Sequence, residues 1–579
     1  MLTTCIHQLS AVQTRSSVHL VHLVGANRRV SMRVHTETNS REMQALAWLA
    51  VCLAAADAAR LLAVFPTNTK SHYAMYGKLI DALARKNHNI TLVTHYPMKT
   101  PPENIQQISL AGTIPEIRNN LTTQHDNLKP DLIQNLEQIL KECVHACDTV
   151  SQIPALRALI NSDETFDLVI VEVFGTECFL PLGQRFKAPV IGFLSSVPLP
   201  WVNEQLGNPE AAAYVSSYMM GYGQRMTMWE RFTNTFAIIV AKIMYKYKSQ
   251  VPSQIIADRL FGPGPKLESL AQNYSLVLSN SHFSINEIRP LVPTLVEVGG
   301  LHLDESQTLP REMKQLLDAS SEGVIYWSFG SMSRIETIPR DKLSQIFEVI
   351  SELPQTVFVK MDRKLLSRNL TVPDNVYTMD WIPQYATLCH PNVKLFISHG
   401  GLLGTQEAVA CGVPMLMVPL YADQALNAKA MLDRGVAKIV QLKKSDKCKW
   451  RNALHDLLRN PRYKENSIRL KNIFLDRPMK PVDLGVYWIE YVLRHKGATH
   501  LRSPALDLSL HQYLLLDIVA LSIAATVMTT YILHKLFRYL CTRCTNWWPK
   551  EKLVFEKRLF RKNISFILCL LWRYKMKPN

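Results

Sequence analysis

The residues best equipped for chemistry lie between Trp381 and Asn427. There an apolar run, Val393–Ser398, ends in His399-Gly400-Gly401 and continues as a helix pattern through Glu407. At a strand-to-helix junction two glycines let backbone approach a ligand closely. The helix start presents unpaired N–H groups, and an imidazole adds a donor. This set suits a diphosphate. Glu407, two turns further on, can accept from ribose hydroxyls, and Trp381 and Gln384, three apart on one helical turn, offer a base an aromatic plane and an amide. After a strand bracketed by Pro414 and Pro419, Asp423-Gln424 supplies acceptors and donors for sugar hydroxyls. Each feature alone has an ordinary explanation: glycines recur at βα turns, an isolated tryptophan is core, and helix glutamates and loop Asp-Gln pairs are solvated. Their combination in this order carries the reading.

The elements that must position these groups are α/β. Leu61–Phe65, Ile90–Thr94, Phe166–Val171 and Pro189–Phe193 read as buried parallel strands, with a helix over Ala74–Lys86 after the first. Residues 200–262 are rich in Met, Tyr and Phe in a helical pattern, which fits core packing or a greasy acceptor pocket. Pro290–Pro293 and Gly299-Gly300 mark a connection, and a second series follows at Val324–Ser328, Thr356–Val359, Val376–Met379, Val393–Ser398 and Met415–Val418. Two α/β halves in tandem predict a cleft with ligands at the carboxyl ends of the strands.

The 579 residues carry a net charge of +17, which would suit nucleic acid if it lay on the body. It does not. Residues 534–579 hold +10 and residues 1–42 hold +3, leaving +4 for everything between. That excludes a phosphate-backbone stripe. Of eleven cysteines, six (Cys143, Cys147, Cys178, Cys389, Cys411, Cys448) fall between 60 and 512, too sparse for a disulfide scaffold and without zinc spacing. Cys143 and Cys147, four apart, read as two semi-buried thiols.

Residues 43–59 have a short apolar centre ending in small residues, as a secretory signal peptide does, which makes 1–42 an extension ahead of the functional start. Tyr513–Leu533 is long and apolar enough to cross a bilayer, and the basic tail 534–579 after it places that end in the cytosol. The expected topology is type I, with the body in the lumen of the endoplasmic reticulum. Sequons at Asn89, Asn120, Asn273 and Asn369 would be glycosylated there, while Asn563 in the tail would not.

The run Trp381–Gln424 resembles the signature of the UDP-glycosyltransferase family. Phe65-Pro66 through Ser71-His72-Tyr73, Val298-Gly299-Gly300-Leu301, Ser328-Phe329-Gly330-Ser331 and Val486–Tyr491 are similar to it too, and Arg477-Pro478 to Ala498 resembles the arthropod branch. The resemblance implies a GT-B fold: two Rossmann-like domains, 60–290 for the acceptor and 291–512 for the UDP-sugar, with a transmembrane helix at 513–533. It implies inverting, metal-free hexosyl transfer, glucose favoured, to a hydroxyl of small lipophilic acceptors, with the UDP-sugar as co-substrate and no cofactor. A homo-oligomer is compatible with it. His72, in the loop after the first strand, matches the family's general base. Glu172 stands where many members carry the orienting Asp, with Glu177 a second candidate. Ser331, Lys360, His399, Gly400, Gly401 and Asn427 join Trp381, Gln384, Glu407, Asp423 and Gln424 around the donor. The alternative is a member that binds without turnover: Glu172 in place of Asp favours it, and retention of His72, Glu407, Asp423 and Gln424 opposes it.

Overall fold

The computed structural model describes residues 58–116, 132–366 and 370–547. The extension, most of the signal-like segment, Asn120, Asn369, Asn563 and the end of the tail lie outside these.

Short apolar runs with no polar face form buried parallel strands. The first sheet has seven: β1 (Arg60–Phe65), β2 (Asn89–Thr94), β3 (Ile105–Ser109), β4 (Leu168–Glu172), β5 (Val190–Leu194), β6 (Leu276–Ser279) and β7 (Leu295–Glu297). Their order is β3-β2-β1-β4-β5-β6-β7, all parallel. The second sheet has six: β8 (Val324–Ser328), β9 (Thr356–Lys360), β10 (Val376–Met379), β11 (Val393–Ser398), β12 (Met415–Met417) and β13 (Ala437–Ile439), in the order β10-β9-β8-β11-β12-β13. Both are doubly wound sheets whose direction of winding reverses between the first and fourth strands in sequence. Apolar side chains cover both faces of each sheet.

β7 joins the first sheet, so that sheet continues past residue 290, and the crossing to the second domain falls after Glu297. There Gly299 and Gly300 are held by Arg477, whose Nη1 donates to Gly299 O (2.6 Å), and by Gln406, whose Oε1 accepts from Gly300 N (3.0 Å).

Six helices matter below. α1 (Lys70–Arg85) follows β1. α2 (Met228–Tyr245), opened by a Thr227–Glu230 capping box, runs through a π turn (Lys246–Gln250) into α3 (Val251–Phe261). α4 (Leu402–Cys411) follows β11. α5 (Pro481–Arg494) returns from the second domain and buries Val486, Ile489 and Val492 against Leu79 and Leu83 of α1. α6 (Leu516–Trp547) is 32 residues long, and an 18-residue window within it has a mean hydropathy of 1.8 with none of the described residues packed over it. The helix starts inside the expected span 513–533 and runs on past its end. Tyr513 ends a separate short helix, and α6 continues through the basic residues after Leu533, since His534–Tyr539 contains no helix breaker.

Candidate active site in the interdomain cleft

The carboxyl ends of both sheets open into one cleft of about 910 Å³. Its chemistry comes from the strands flanking the two points where winding reverses, where neighbouring strand ends diverge and leave room for a ligand.

In the first domain these strands are β1 and β4, paired Val64 to Val171. His72 is not in the loop after β1; it sits in the first turn of α1, which starts at Lys70 rather than at Ala74 because Lys70-Ser71-His72-Tyr73 contains no breaker. Its Nδ1 lies 2.7 Å from Oε1 of Glu172, the last residue of β4. Tyr76, one turn beyond His72, donates its hydroxyl to the same oxygen (2.8 Å), and Thr67 Oγ1 donates to Oε2 (2.6 Å). Burial by itself would raise the Glu172 pKa. The hydrogen bonds from His72, Thr67 and Tyr76 outweigh it and hold the carboxyl below its usual value. A carboxylate at Nδ1 fixes that nitrogen as donor and leaves Nε2 as acceptor. Nε2 faces the cleft, where the Ser195 hydroxyl donates to it at 3.0 Å. Glu177 is elsewhere, buried beside Tyr245 and Gln205, with its pKa pushed up to about 7 by burial.

In the second domain the strands are β8 and β11, paired Ser328 to Ser398. Each serine accepts from a glycine N–H two residues on, Gly330 at 3.2 Å and Gly400 at 3.1 Å. The His399 ring lies between Gly330 and Gly401. A Cβ at Gly330 (φ +77°) would meet His399 Cε1 at 2.9 Å, and one at Gly401 would meet Nε2 at 2.6 Å. Here the glycines make room for the imidazole as well as for any ligand. Burial, then the Lys360 charge, pushes His399 down to about 4, so the ring is neutral at pH 7 and offers one N–H. Lys360, at the end of β9, donates to Gly330 O (2.8 Å), and its pKa is lowered by burial and by Lys70.

Trp381 and Gln384 do not share a helical turn. Gln384 begins a short helix and Trp381 lies in the loop before it, because Pro383 separates them. Gln384 accepts from Tyr326 OH (3.1 Å) and donates to Glu407. Burial raises Glu407 to about 7. Trp381 is 57% exposed to the cleft. Lys70 Nζ reaches across from the first domain to 3.9 Å from its ring centre, and Lys360 Nζ lies at 5.0 Å. Asp423, raised to about 6 by burial, accepts from Asn427 Nδ2 (2.8 Å), which also donates to Gly400 O (3.0 Å). Gln424 Oε1 accepts from the Leu420 and Tyr421 N–H groups (2.8 and 3.1 Å), which braces the loop.

His72, Ser331, Lys360, Trp381, Gln384, His399, Gly401, Glu407, Asp423 and Gln424 therefore line one cleft, while Glu172, Gly400 and Asn427 stand behind that lining. Sequence reasoning missed Thr67, Lys70, Ser195, Ser328 and Ser398. Tyr76 left a legible signal, four residues from His72 on one helix face. The thiol reading of Cys147 is overturned: it is bridged to Cys178, across 31 residues, because α-helical residue 147 and the segment after β4 meet in the core. Cys389 pairs with Cys411, and Cys143 is a buried thiol. Asn89 and Asn273 are exposed.

The model of the family described as "UDP-glucoronosyl and UDP-glucosyl transferase" matches residues 63–551. "UDP-glucosyltransferase 2" of Dactylopius coccus is 33% identical over 512 residues, covering 88% of this chain and 97% of that protein. "UDP-glucuronosyltransferase 1A1" of Mus musculus is 29% identical over 535 residues, covering 87% and 96%. Among solved structures, the glycosyltransferase VinC in complex with dTDP superposes with a TM-score of 0.51 at 16% identity, covering 75% of this chain and 99% of that one. The fold is GT-B. The chain belongs to the UDP-glucuronosyl and UDP-glucosyl transferase family and is a UDP-glycosyltransferase.

Proposed function

We propose that this enzyme transfers a hexose, glucose in preference, from its UDP conjugate to a hydroxyl of small lipophilic molecules, with inversion and without a metal, as a conjugating or detoxifying activity. The observation that carries the reading is the His72 imidazole, held at Nδ1 by the Glu172 carboxylate and facing the cleft with Nε2, where the Ser195 hydroxyl is its partner. An acceptor hydroxyl that takes over Nε2 from the Ser195 hydroxyl gives its proton to Nε2 as its oxygen attacks the sugar C1. The C1–O bond to the β-phosphate breaks, and UDP leaves with the electron pair. Attack from the face opposite the leaving group inverts C1. Lys360, the His399 N–H, Ser331 and the amides opening α4 supply positive potential for the diphosphate. Trp381 stacks the base, Gln384 and Glu407 take the base edge and ribose, and Asp423 and Gln424 hold the sugar hydroxyls.

We read α6 as a single span with the basic tail 534–579 in the cytosol and the body, from about Arg60 to about Gln512, in the lumen of the endoplasmic reticulum, where Asn89 and Asn273 would be glycosylated. The test of function is UDP release from UDP-glucose with a panel of phenols and alcohols. His72→Ala should abolish turnover and leave UDP affinity nearly unchanged. Wild-type turnover in His72→Ala would refute the base assignment, and no turnover by the native enzyme that binds UDP normally would mark a binding protein.

A further inference from the structure

A lysine of the first domain stands in the donor half of the cleft. Lys70 opens α1, two residues before His72, and its Nζ crosses the cleft to 3.9 Å from the centre of the Trp381 ring. Lys360, at the end of β9 in the second domain, has its Nζ 5.0 Å from the same centre. Two ammonium groups thus converge on one indole. Charges of one sign so placed repel, and after burial it is the Lys70 charge that lowers the Lys360 pKa most. The root of Lys70 is no better suited to a cation. Aligned peptide dipoles leave the start of a helix positive, the first turn of α1 holds no acidic side chain, and Thr69 makes no side-chain cap. Lys78, two turns further along α1, shows the ordinary arrangement, with its Nζ 2.6 Å from Asp304 Oδ2 across the domains. Lys70 is exposed, and its contact is the ring.

An anion between the two lysines relieves both repulsions, and the reaction brings one there. His72 Nε2 serves sugar C1, and the diphosphate is the group attached to C1. Lys70 shares the first helical turn with His72, so its flexible four-carbon stem can swing between Trp381 and the diphosphate. Facing it on the second domain are Lys360, whose Nζ donates to Gly330 O (2.8 Å), Ser331 and His399. Lys70 approaches Trp381 from the cleft, the side from which a stacking base must also approach.

We propose that Lys70 is a donor-binding residue contributed by the first domain: the base displaces its ammonium from Trp381, and the ammonium moves onto the diphosphate opposite Lys360. This rests on the reading of the cleft as the UDP-sugar site with Trp381 as base platform. The sign of the Lys70 effect then depends on the ligand. Uridine meets only the displacement, so Lys70 opposes it. UDP gains a cation that offsets the displacement, so Lys70 favours it.

Calorimetric titration of the full-length chain with uridine and with UDP provides the test. The comparison is wild type against Lys70→Met, which keeps the stem and loses the charge. UDP should bind the variant about tenfold more weakly, the loss of a charge-assisted phosphate contact. Uridine should bind it about two- to fivefold more tightly, with the ring vacated. Lys70→Arg should bring UDP back to within about threefold of wild type. Unchanged affinity for both ligands would overturn the proposal. So would equal tightening of both, which would make Lys70 a cover for the ring and nothing more. Equal weakening of both would overturn it in favour of a structural role. Trp381→Ala separates this inference from the reading beneath it. Wild-type uridine affinity in that variant would remove the base platform and the proposal together. Weakened uridine binding there, with UDP indifferent to Lys70→Met, would remove the lysine's role alone.

Discussion

Glu172→Asp installs the residue type that the family resemblance led us to expect, and the structure predicts that it damages this enzyme. The Glu172 Oε1 to His72 Nδ1 separation is 2.7 Å, with α1 and β4 fixed by packing on both sides. Removing one methylene withdraws the carboxylate by roughly 1.5 Å, the length of a C–C bond, and opens that contact to roughly 4 Å, beyond hydrogen-bond reach. The same retreat breaks the bonds from Tyr76 and Thr67, so the backbone has no single small shift that repairs all of them. A hydrogen bond to a charged group contributes about 1.5–3 kcal/mol. Spent on orienting the base, that corresponds to a loss of about 10- to 150-fold in kcat. KM for the UDP-sugar should stay within about twofold, because Glu172 makes none of its proposed contacts. The assay is steady-state UDP release at saturating acceptor, with UDP affinity measured separately by calorimetry. A kcat for Glu172→Asp within twofold of wild type would refute the claim that this carboxylate positions His72.

Trp381→Ala should weaken UDP binding by about tenfold, since base–aromatic stacking is worth about 1–3 kcal/mol, and titration of UDP in a calorimeter checks it. Glu177 is pushed up to about 7 by burial, so its folded pKa exceeds its unfolded one. Its contribution to stability is then full below about 4.5 and is lost as pH rises through about 7, a change of about 3 kcal/mol. Ligand-free Tm should therefore fall from pH 5 to 7.5, and Glu177→Gln should flatten that fall; an unchanged slope in the variant would place the titration elsewhere. Cys147→Ser with Cys178→Ser should lower stability by about 3 kcal/mol through the 31-residue loop it frees, read as a lower denaturation midpoint in urea.

Much of this architecture was legible in the sequence. Val324–Ser328 and Val393–Ser398 are wholly apolar except at their ends, and their strands fall on those residues. β3, β7 and β13 escaped because they are edge strands, short or polar on one face, and β6 because Leu276–Ser279 is only four residues of apolar run, too short for a pattern. The donor-side residues could be gathered because 44 consecutive positions hold most of them. What spacing could not show was their division of labour: Gln424 accepts from backbone, Asn427 ties Gly400 O to the Asp423 carboxylate, and Gln384 is tied to Glu407. The first-domain site was harder. His72, Glu172 and Ser195 are separated by 100 and 123 positions, and only the parallel pairing of β1 with β4 and β4 with β5 brings them together. The Cys147–Cys178 bridge was hidden for the same reason.

The return of α5 onto α1 makes the first domain a discontinuous unit, built from residues 58–297 and closed by 481–494. For anyone exchanging first domains between relatives, a single junction near residue 300 would leave a foreign helix against Leu79 and Leu83. Gly485 makes the mismatch acute, since a Cβ there would meet Leu79 Cδ1 at 3.0 Å. Productive grafts should carry three junctions: near Glu297, near Lys480 and after Arg494.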